Sequence, residues 1–319
     1  MALKENIEYW RISLQNPEPV GDEYYVFDEI IVFDEKLIEK IEKLRELIIS
    51  YCVVAEKNSE TASEIFDEIY DIIISTDKIQ YTEFVAFWKT MDVSYSAFKK
   101  LQNKKAILEE LLKEYCKRRR KLYYALGYSN AIVQALYDSG TSRKKGSSGI
   151  TKVRDLIKEI LGDVEHVKTI DEFQNQKLAY FLPDSGDKEL FEEFLKKYEV
   201  HYQFGKSNQN KNPDIVLKVD NHLFIIEAKH IKESGGAQDK QIVELINFIK
   251  YSENSENVHY VSFMDGIYFN NFIWISSNKN NKVSEQKASI EEYLKKNKNN
   301  FFVNTAGITA ILEDLKDYK

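Results

Sequence analysis

The chain has 319 residues, a length that accommodates one large domain or two domains of ordinary size. Hydrophobic residues make up 43% and charged residues 30% of the sequence, which predicts a soluble globular protein, and 12 glycines and 4 prolines exclude collagen-like and loop-dominated chains. No apolar run approaches the roughly 18 residues of a membrane span, and the amino terminus lacks a secretion signal, so we expect a cytoplasmic protein with no membrane partner. The net charge of −7 counts mildly against nucleic acid.

The charges are unevenly distributed along the chain. Residues 1–100 carry 11 basic and 21 acidic side chains, residues 101–150 carry 11 and 4, and residues 151–319 carry 23 and 27. The middle segment, at +7, contains a basic helical run that is equally typical of a solvated helix face, and a second run in which glycines and serines could approach phosphates together with the cations. We therefore expect a DNA-facing strip there, with Arg118, Arg119, Arg120, Ser142, Arg143, Lys144 and Lys145 as its candidate contacts.

The amino-terminal region is predicted to be helical. Apolar residues recur at three- and four-residue spacing from Phe33 to about Tyr137. We expect residues 1–137 to form an all-helical region that provides DNA contacts, dimer contacts or both. Cys52 and Cys116 lie far apart on these helical patterns, which favours two buried thiols over a disulfide or a zinc site.

A segment rich in glycine and serine, residues 138–149, marks the start of a second region with a different pattern. Helical and strand-like patterns alternate in residues 138–319, which predicts an α/β or α+β domain. The predicted helices run from Ile150 to Leu161, Asp187 to about Tyr198, Ala237 to about Tyr251 and Thr305 to about Leu315. The predicted strands are Asp214 to Val219, Leu223 to Ala228, Val258 to Phe263 and Tyr268 to Ile275.

The first two of these strands flank Asp220-Asn221, a dipeptide suited to a two-residue hairpin turn. With that turn Val219 pairs with His222, and Asp214 lies directly opposite Glu227. Lys229 projects from the same sheet face because side chains alternate along a strand. Two carboxylates and an ammonium therefore converge at a strand end, where unpaired buried charge would be costly.

A divalent cation between the carboxylates removes that cost. Asp214 and Glu227 offer the hard oxygen ligands that Mg²⁺ prefers, with the Ala228 carbonyl as a third candidate. Bound there, the metal would polarise a phosphoryl oxygen and lower the pKa of a water, while Lys229 would orient that water or neutralise developing charge. The pattern predicts phosphodiester hydrolysis, and an incidental surface ion pair is the weaker alternative.

Pro213-Asp214 and Glu227-Ala-Lys229 resemble the motif of the PD-(D/E)xK nucleases, and within them the type II restriction endonucleases. The resemblance covers about residues 140–265 and implies a restriction-endonuclease-like mixed β-sheet core flanked by helices. It also implies an accessory catalytic acid on the helix before the motif, which is Glu159 here. The segment after the motif resembles the DNA-reaching loop and helix of restriction enzymes, with His230, Gln238, Lys240 and Gln241 as candidate contacts.

The function that follows is a Mg²⁺-dependent, site-specific endonuclease for double-stranded DNA. We expect a homodimer, since a palindromic site is naturally read by two-fold symmetry, and a cognate DNA methyltransferase as its genetic partner. Two alternatives stay open: a repair or recombination nuclease that recognises DNA structure, and a catalytically silent DNA-binding protein.

Overall fold

Two compact units make up the chain in a computed structural model. The structure describes residues 3–22, 24, 29–55, 57–119, 121–122, 130–140, 145–233, 235–274 and 282–316. The helical unit comprises residues 27–143, and the sheet unit comprises residues 1–26 together with residues 144–319. The first 26 residues thus belong with the sheet, although the sequence pattern groups them with the helical region.

The helical unit is built from amphipathic helices whose apolar faces share one core. Helix α2 begins after Asp34, whose side chain accepts a hydrogen bond from the Leu37 N–H, and α3 begins after Asn58, which caps it in the same way. The helices are α2 (Glu35–Val54), α3 (Ser59–Ser75), α4 (Glu83–Phe87), α5 (Tyr95–Phe98), α6 (Lys104–Arg119) and α7 (Asn130–Gly140).

A disulfide joins Cys52 of α2 to Cys116 of α6, with their Cα atoms 5.4 Å apart. The prediction of two separate thiols was wrong. Helical periodicity places each cysteine on the inner face of its own helix, but it carries no information about which helices are neighbours.

In its described residues, the sheet unit has six strands, which lie side by side in the order of the sequence. Strand β1 (Glu165–His166) pairs in parallel with β2 (Leu178–Phe181), and β2 pairs antiparallel with β3 (Ile215–Val219). Strand β3 pairs antiparallel with β4 (His222–His230). Strand β4 pairs in parallel with β5 (Val258–Asp265), which pairs in parallel with β6 (Phe301–Val303). The helices of this unit are α1 (Asn6–Gln15), α8 (Lys145–Leu161), α9 (Ile170–Asn175), α10 (Lys188–Lys197), α11 (Gln203–Ser207), α12 (Gly236–Phe248), α13 (Lys282–Lys296) and α14 (Thr305–Leu315).

Helices cover both faces of this mixed sheet, as the α/β prediction requires, and that prediction is confirmed. On one face, Phe224 and Ile226 of β4 pack with apolar residues of α8 and α14. On the other face, Leu223 and Ile225 pack with α10 and with Phe248 of α12. Consecutive β4 residues therefore point to different helices, which fixes the face of every side chain on that strand.

Helix α1 lies along β6, which explains why the amino terminus belongs to the sheet unit. Tyr9 packs edge-on against Phe301, and the next residue, Trp10, packs against Phe302. Because Phe301 and Phe302 point to opposite faces, α1 contributes to both cores and covers the edge of the sheet.

The predicted strand from Tyr268 to Ile275 is wrong. Residues Ile267–Phe272 form a 3-10 helix that follows β5 at Gly266, whose φ is +93°. The Gly266 position lies against the Ile231 carbonyl, where a Cβ would clash at 2.5 Å, so the chain turns away from the sheet. Tyr268, Phe269 and Phe272 then pack around Trp10 instead of forming a strand.

The helices in the described part of the chain are all too short or too polar to cross a membrane.

Candidate active site

The β3–β4 hairpin has the predicted register. Val219 pairs with His222 and Ile215 with Ile226, and Asp220 takes the left-handed conformation at the turn, with a φ of +51°. Asp214 immediately precedes the paired residues of β3, and its N–H donates to the Ile226 carbonyl at 3.0 Å. The carboxylate of Asp214 nevertheless lies beside Glu227 and Lys229, on the face covered by α12.

We define the hairpin cluster as Asp214, Glu227 and Lys229 together with two further residues, Lys211 and Glu244. Asp214 is held by the Ala228 N–H, which donates to its Oδ2 at 2.8 Å, and the Lys229 ammonium lies 3.7 Å from the same oxygen. Lys229 also pairs with Glu227. The structure thus brings together the three residues that the motif predicts to be catalytic.

Glu227 is fully buried, and its two oxygens have different surroundings. Oε1 accepts hydrogen bonds from Lys229 and, at 2.5 Å, from the Lys211 ammonium. Among the residues that the structure describes, neither the buried Oε2 nor the buried hydroxyl of Tyr202 has a hydrogen-bond partner. A buried carboxylate oxygen without a partner costs free energy, so this position favours a bound cation or water.

The pKa shifts in the hairpin cluster also favour a bound cation. Burial, and next the charge of Glu227, raises the pKa of Asp214 to about 6. Burial opposes the charged form of Lys229, but Glu227 and Asp214 outweigh it and raise the pKa of that ammonium. Burial, followed by the charges of Glu227 and Asp214, also raises the pKa of Tyr202. The site accumulates negative charge that favours a cation.

The donor set fits a hard divalent cation. Asp214 and Glu227 supply carboxylate oxygens, which are the ligands of Mg²⁺ and Ca²⁺, and Glu227 Oε2 is available for one. The Ala228 N–H donates a hydrogen bond to Asp214, and the Ala228 carbonyl remains a predicted metal ligand.

Lys211 and Glu244 are the members of the hairpin cluster that the sequence did not predict. Lys211 lies two residues before Pro213 and pairs with both Glu227 and Glu244. Glu244 is on α12, which packs on β4 and β5. The sequence offered one indication of Lys211, which is only two residues before the Pro-Asp motif. No neighbouring residue in the sequence indicates that Glu244 belongs to this site.

A second acidic group occupies the opposite face at the same end of the strands. We define the Lys152 cluster as Glu18, Asp22 and Asp265 around Lys152 of α8. The carboxylate oxygens lie within 4.8 Å of one another, a spacing at which they could hold a metal ion. The Lys152 ammonium, however, lies 3.2 Å from Asp265 Oδ2 and 3.8 Å from Glu18 Oε2, and it also pairs with Asp22. An ammonium therefore already stands where a cation would bind.

The Lys152 cluster is also well hydrogen-bonded. The Thr305 N–H donates to Glu18 Oε1 at 2.7 Å, the Thr305 hydroxyl donates to Oε2 at 3.0 Å, and the Gly266 N–H donates to Asp265 at 2.6 Å. Burial, then the charge of Asp265, raises the pKa of Glu18 to about 8. Glu18 is therefore protonated at neutral pH, which lowers the negative charge that Lys152 must balance.

The structure does not bring Glu159 to the hairpin cluster. Glu159 is exposed on α8, and α8 packs with Ile226 and Ala228, on the face opposite to Glu227. His230 also points away from Glu227, because it alternates with Lys229, and its Nδ1 lies 3.9 Å from Asp265 Oδ2. The helix before the motif thus contributes Lys152, rather than Glu159, to a buried charged group.

The candidate DNA contacts fall in several places. Gln238 hydrogen-bonds with Glu233, Lys240 is exposed on α12, and Gln241 is half-buried there. In the helical unit, Arg118 pairs with Glu114 at 2.9 Å, and the Arg119 guanidinium lies 5.4 Å from the Phe87 ring centre. Outside the described residues lie Arg120, Ser142, Arg143 and Lys144, as well as the side chain of Lys145.

A comparison with protein families matches residues 33–308 to the Tsp45I type II restriction enzyme family. The match includes most of the helical unit, for which the sequence motifs indicate no relationship, and ends inside α14. No curated protein and no solved structure matches the chain significantly.

Proposed function

This chain belongs to the Tsp45I type II restriction enzyme family, and on that premise we propose that it is a Mg²⁺-dependent endonuclease that cuts double-stranded DNA at a specific sequence. The family makes it a nuclease. The proposal adds the metal, the sequence specificity and the residues, with the PD-(D/E)xK hairpin as the catalytic element.

One observation carries the assignment of the site. Glu227 is fully buried on a rigid central strand, next to Asp214, and its Oε2 lacks a hydrogen-bond partner among the described residues. A role as metal ligand explains why this oxygen lacks a partner, whereas in a purely structural ion pair both carboxylate oxygens would be hydrogen-bonded.

The roles of the residues follow from their positions. Asp214 and Glu227, with the Ala228 carbonyl, would hold Mg²⁺, which supplies Lewis-acid polarisation of a phosphoryl oxygen and a bound water of lowered pKa. Lys229, whose ammonium lies beside both carboxylates, would orient the attacking water and neutralise negative charge that develops on the phosphate. We do not assign Glu159 a direct role, because it faces solvent on the other side of the sheet.

DNA binding is proposed for the basic segment of residues 117–145 and for α12. Arg118, Arg119 and Lys240 are exposed cations that can contact phosphates, and Arg120, Ser142, Arg143, Lys144, Lys145, His230, Gln238 and Gln241 complete the proposed set. We propose a homodimer, in the cytoplasm, with a cognate DNA methyltransferase as genetic partner. Neutralising phosphates with cations predicts that binding weakens steeply with salt.

The test is DNA cleavage by the purified chain. Plasmid and phage DNA are incubated with Mg²⁺ and wild-type protein, Asp214→Ala or Asp184→Ala. Asp184 is the matched control, since it follows Pro183 in the same dipeptide but is exposed in a turn before α10. We expect discrete fragments from the wild type and from Asp184→Ala, and none from Asp214→Ala.

The other outcomes separate the alternatives. A smear, or a preference for branched DNA, would support a structure-specific repair nuclease. DNA binding without cleavage in any metal would support a catalytically silent DNA-binding protein. Replacement of Mg²⁺ by Ca²⁺ should retain binding of DNA and stop cleavage.

A further inference from the structure

Lys211 occupies a fixed position beside the carboxylates. It ends the turn that follows α11, in which the Asn210 N–H donates to the Gly205 carbonyl at 2.8 Å and the Lys211 N–H donates to the Asn208 carbonyl at 3.1 Å. Gln209 and Asn210 both adopt the left-handed conformation, at φ +56° and +57°. The turn therefore defines the backbone of Lys211, from which the side chain extends to Glu227 and Glu244.

The ammonium of Lys211 is shared between two carboxylates of different exposure. Glu227 Oε1, 2.5 Å away, belongs to a fully buried side chain, while Glu244, the second partner, is 24% exposed. The side chain of Lys211 is itself 29% exposed. Lys211 thus connects the buried Glu227 to the partly exposed Glu244.

A divalent cation bound to Asp214 and Glu227 would weaken the ion pair between Lys211 and Glu227. Asp214, Glu227 and Glu244 carry three negative charges, and Lys211 and Lys229 carry two positive charges. A divalent ion at Asp214 and Glu227 would add two more positive charges within contact distance of the Lys211 ammonium, which repels it. Lys229 pairs with the two proposed metal ligands, Asp214 and Glu227, whereas Lys211 also pairs with Glu244, which is not a proposed ligand.

Space for that movement is present. A cavity of about 360 Å³ adjoins Lys211 and Glu244. Its other lining residues are mostly polar, so an ammonium that enters it stays solvated: Ser207, Asn208, Gln209, Lys240, Val243 and Asn247.

We propose that Lys211 is a positioning residue that holds Glu227 in the metal-free protein, and that it moves entirely onto Glu244 when a divalent cation binds. This inference rests on the proposed metal site at Asp214 and Glu227. It makes Lys211 a competitor of the metal and Glu244 a residue that favours metal binding from outside the coordination sphere. Substitutions of the two partners of one ion pair should therefore change metal affinity in opposite directions.

The experiment measures Ca²⁺ binding to the full chain by titration calorimetry, without DNA. We expect Lys211→Gln to bind Ca²⁺ about tenfold more tightly than wild type, and Glu244→Gln to bind it about tenfold more weakly, since each removes one unit charge close to the ion. Lys206→Gln is the matched control, because it makes the same charge change on an exposed residue of the preceding helix. Lys211→Arg keeps the charge and should restore wild-type affinity within about threefold.

Circular dichroism and thermal unfolding establish that each variant is folded. If Lys211→Gln does not fold, the Glu244→Gln and Lys211→Arg results decide the matter. Weaker or unchanged Ca²⁺ binding in Lys211→Gln, or unchanged binding in Glu244→Gln, overturns the inference. If wild type binds Ca²⁺ and cuts DNA while these variants match Lys206→Gln, only the role of Lys211 is wrong; if wild type neither binds Ca²⁺ nor cuts DNA, the proposed function fails as well.

Discussion

The hairpin cluster and the Lys152 cluster are two buried acidic groups at the carboxyl ends of β4 and β5, on opposite faces of one sheet. In the hairpin cluster, which includes Asp214, Glu227 and Glu244, both lysines bind one oxygen of Glu227, and the other oxygen has no partner among the described residues. The Lys152 cluster has three carboxylates, but a lysine stands among them and Thr305 satisfies Glu18.

This difference shows that a close group of carboxylates does not by itself identify a metal site. By spacing alone the Lys152 cluster is the better candidate, because oxygens of its three carboxylates lie within 4.8 Å of one another. What distinguishes the hairpin cluster is a buried Glu227 oxygen with no hydrogen-bond partner in the described part of the chain, because such an oxygen is costly unless a ligand binds it. We therefore expect the hairpin cluster to act in catalysis and the Lys152 cluster to stabilise the fold.

The largest expected effect is on DNA cleavage. Glu227→Gln should reduce the rate about a thousandfold or more, because it removes a metal ligand and with it several kcal/mol of transition-state stabilisation. Glu18→Gln should cut at a rate within about threefold of wild type, since Glu18 is already neutral at pH 7 and glutamine mimics it. Equal losses in the two variants would show that both clusters act in catalysis.

The next effect is on stability. Lys152→Met should lower the free energy of unfolding by about 3–5 kcal/mol, since it leaves buried carboxylates without their cation. Lys158→Met, an exposed position on the same helix, is the control and should change it by less than about 0.5 kcal/mol. Urea unfolding measures both, and a small loss in Lys152→Met would mean that the Lys152 cluster is not a structural ion pair.

Metal should stabilise the wild-type protein through the hairpin cluster alone. At a hundred times its dissociation constant, Ca²⁺ should raise the free energy of unfolding by about 2.7 kcal/mol, because it binds only the folded state. The increase should disappear in Asp214→Asn and persist in Glu18→Gln. Loss of the increase in Glu18→Gln instead would place the metal in the Lys152 cluster.

Glu18 should also contribute a pH dependence. Its folded-state pKa of about 8 lies above the ordinary value of 4.5, so its contribution to stability is fully present below pH 4.5 and is lost as the pH rises through 8. Relative to Glu18→Gln, wild type should therefore lose about 4 kcal/mol of unfolding free energy between about pH 5 and about pH 9. Parallel pH profiles for the two proteins would contradict the raised pKa.

The smallest effect is expected at Glu159. Glu159→Gln should change the cleavage rate by less than about twofold, because the side chain is exposed on the face opposite to the hairpin cluster. A loss of tenfold or more would restore the role that the resemblance implies for this residue.

The hairpin could be predicted because its determinants are local. A two-residue turn sets the register, alternation along β4 sets the face, and together they place Asp214, Glu227 and Lys229 side by side. The helices before and after it follow equally from their apolar periodicity, and so does the α/β class.

Tertiary structure decided which other residues join these groups, because contacts between distant segments leave no periodic signal. Glu244 reaches Lys211 only because α12 packs on β4, and Lys152 meets Glu18 and Asp265 only because α8 and the segment after α1 converge at one end of β5. Local sequence thus determined the pair of carboxylates that face each other, whereas packing decided which carboxylate oxygen is left without a partner.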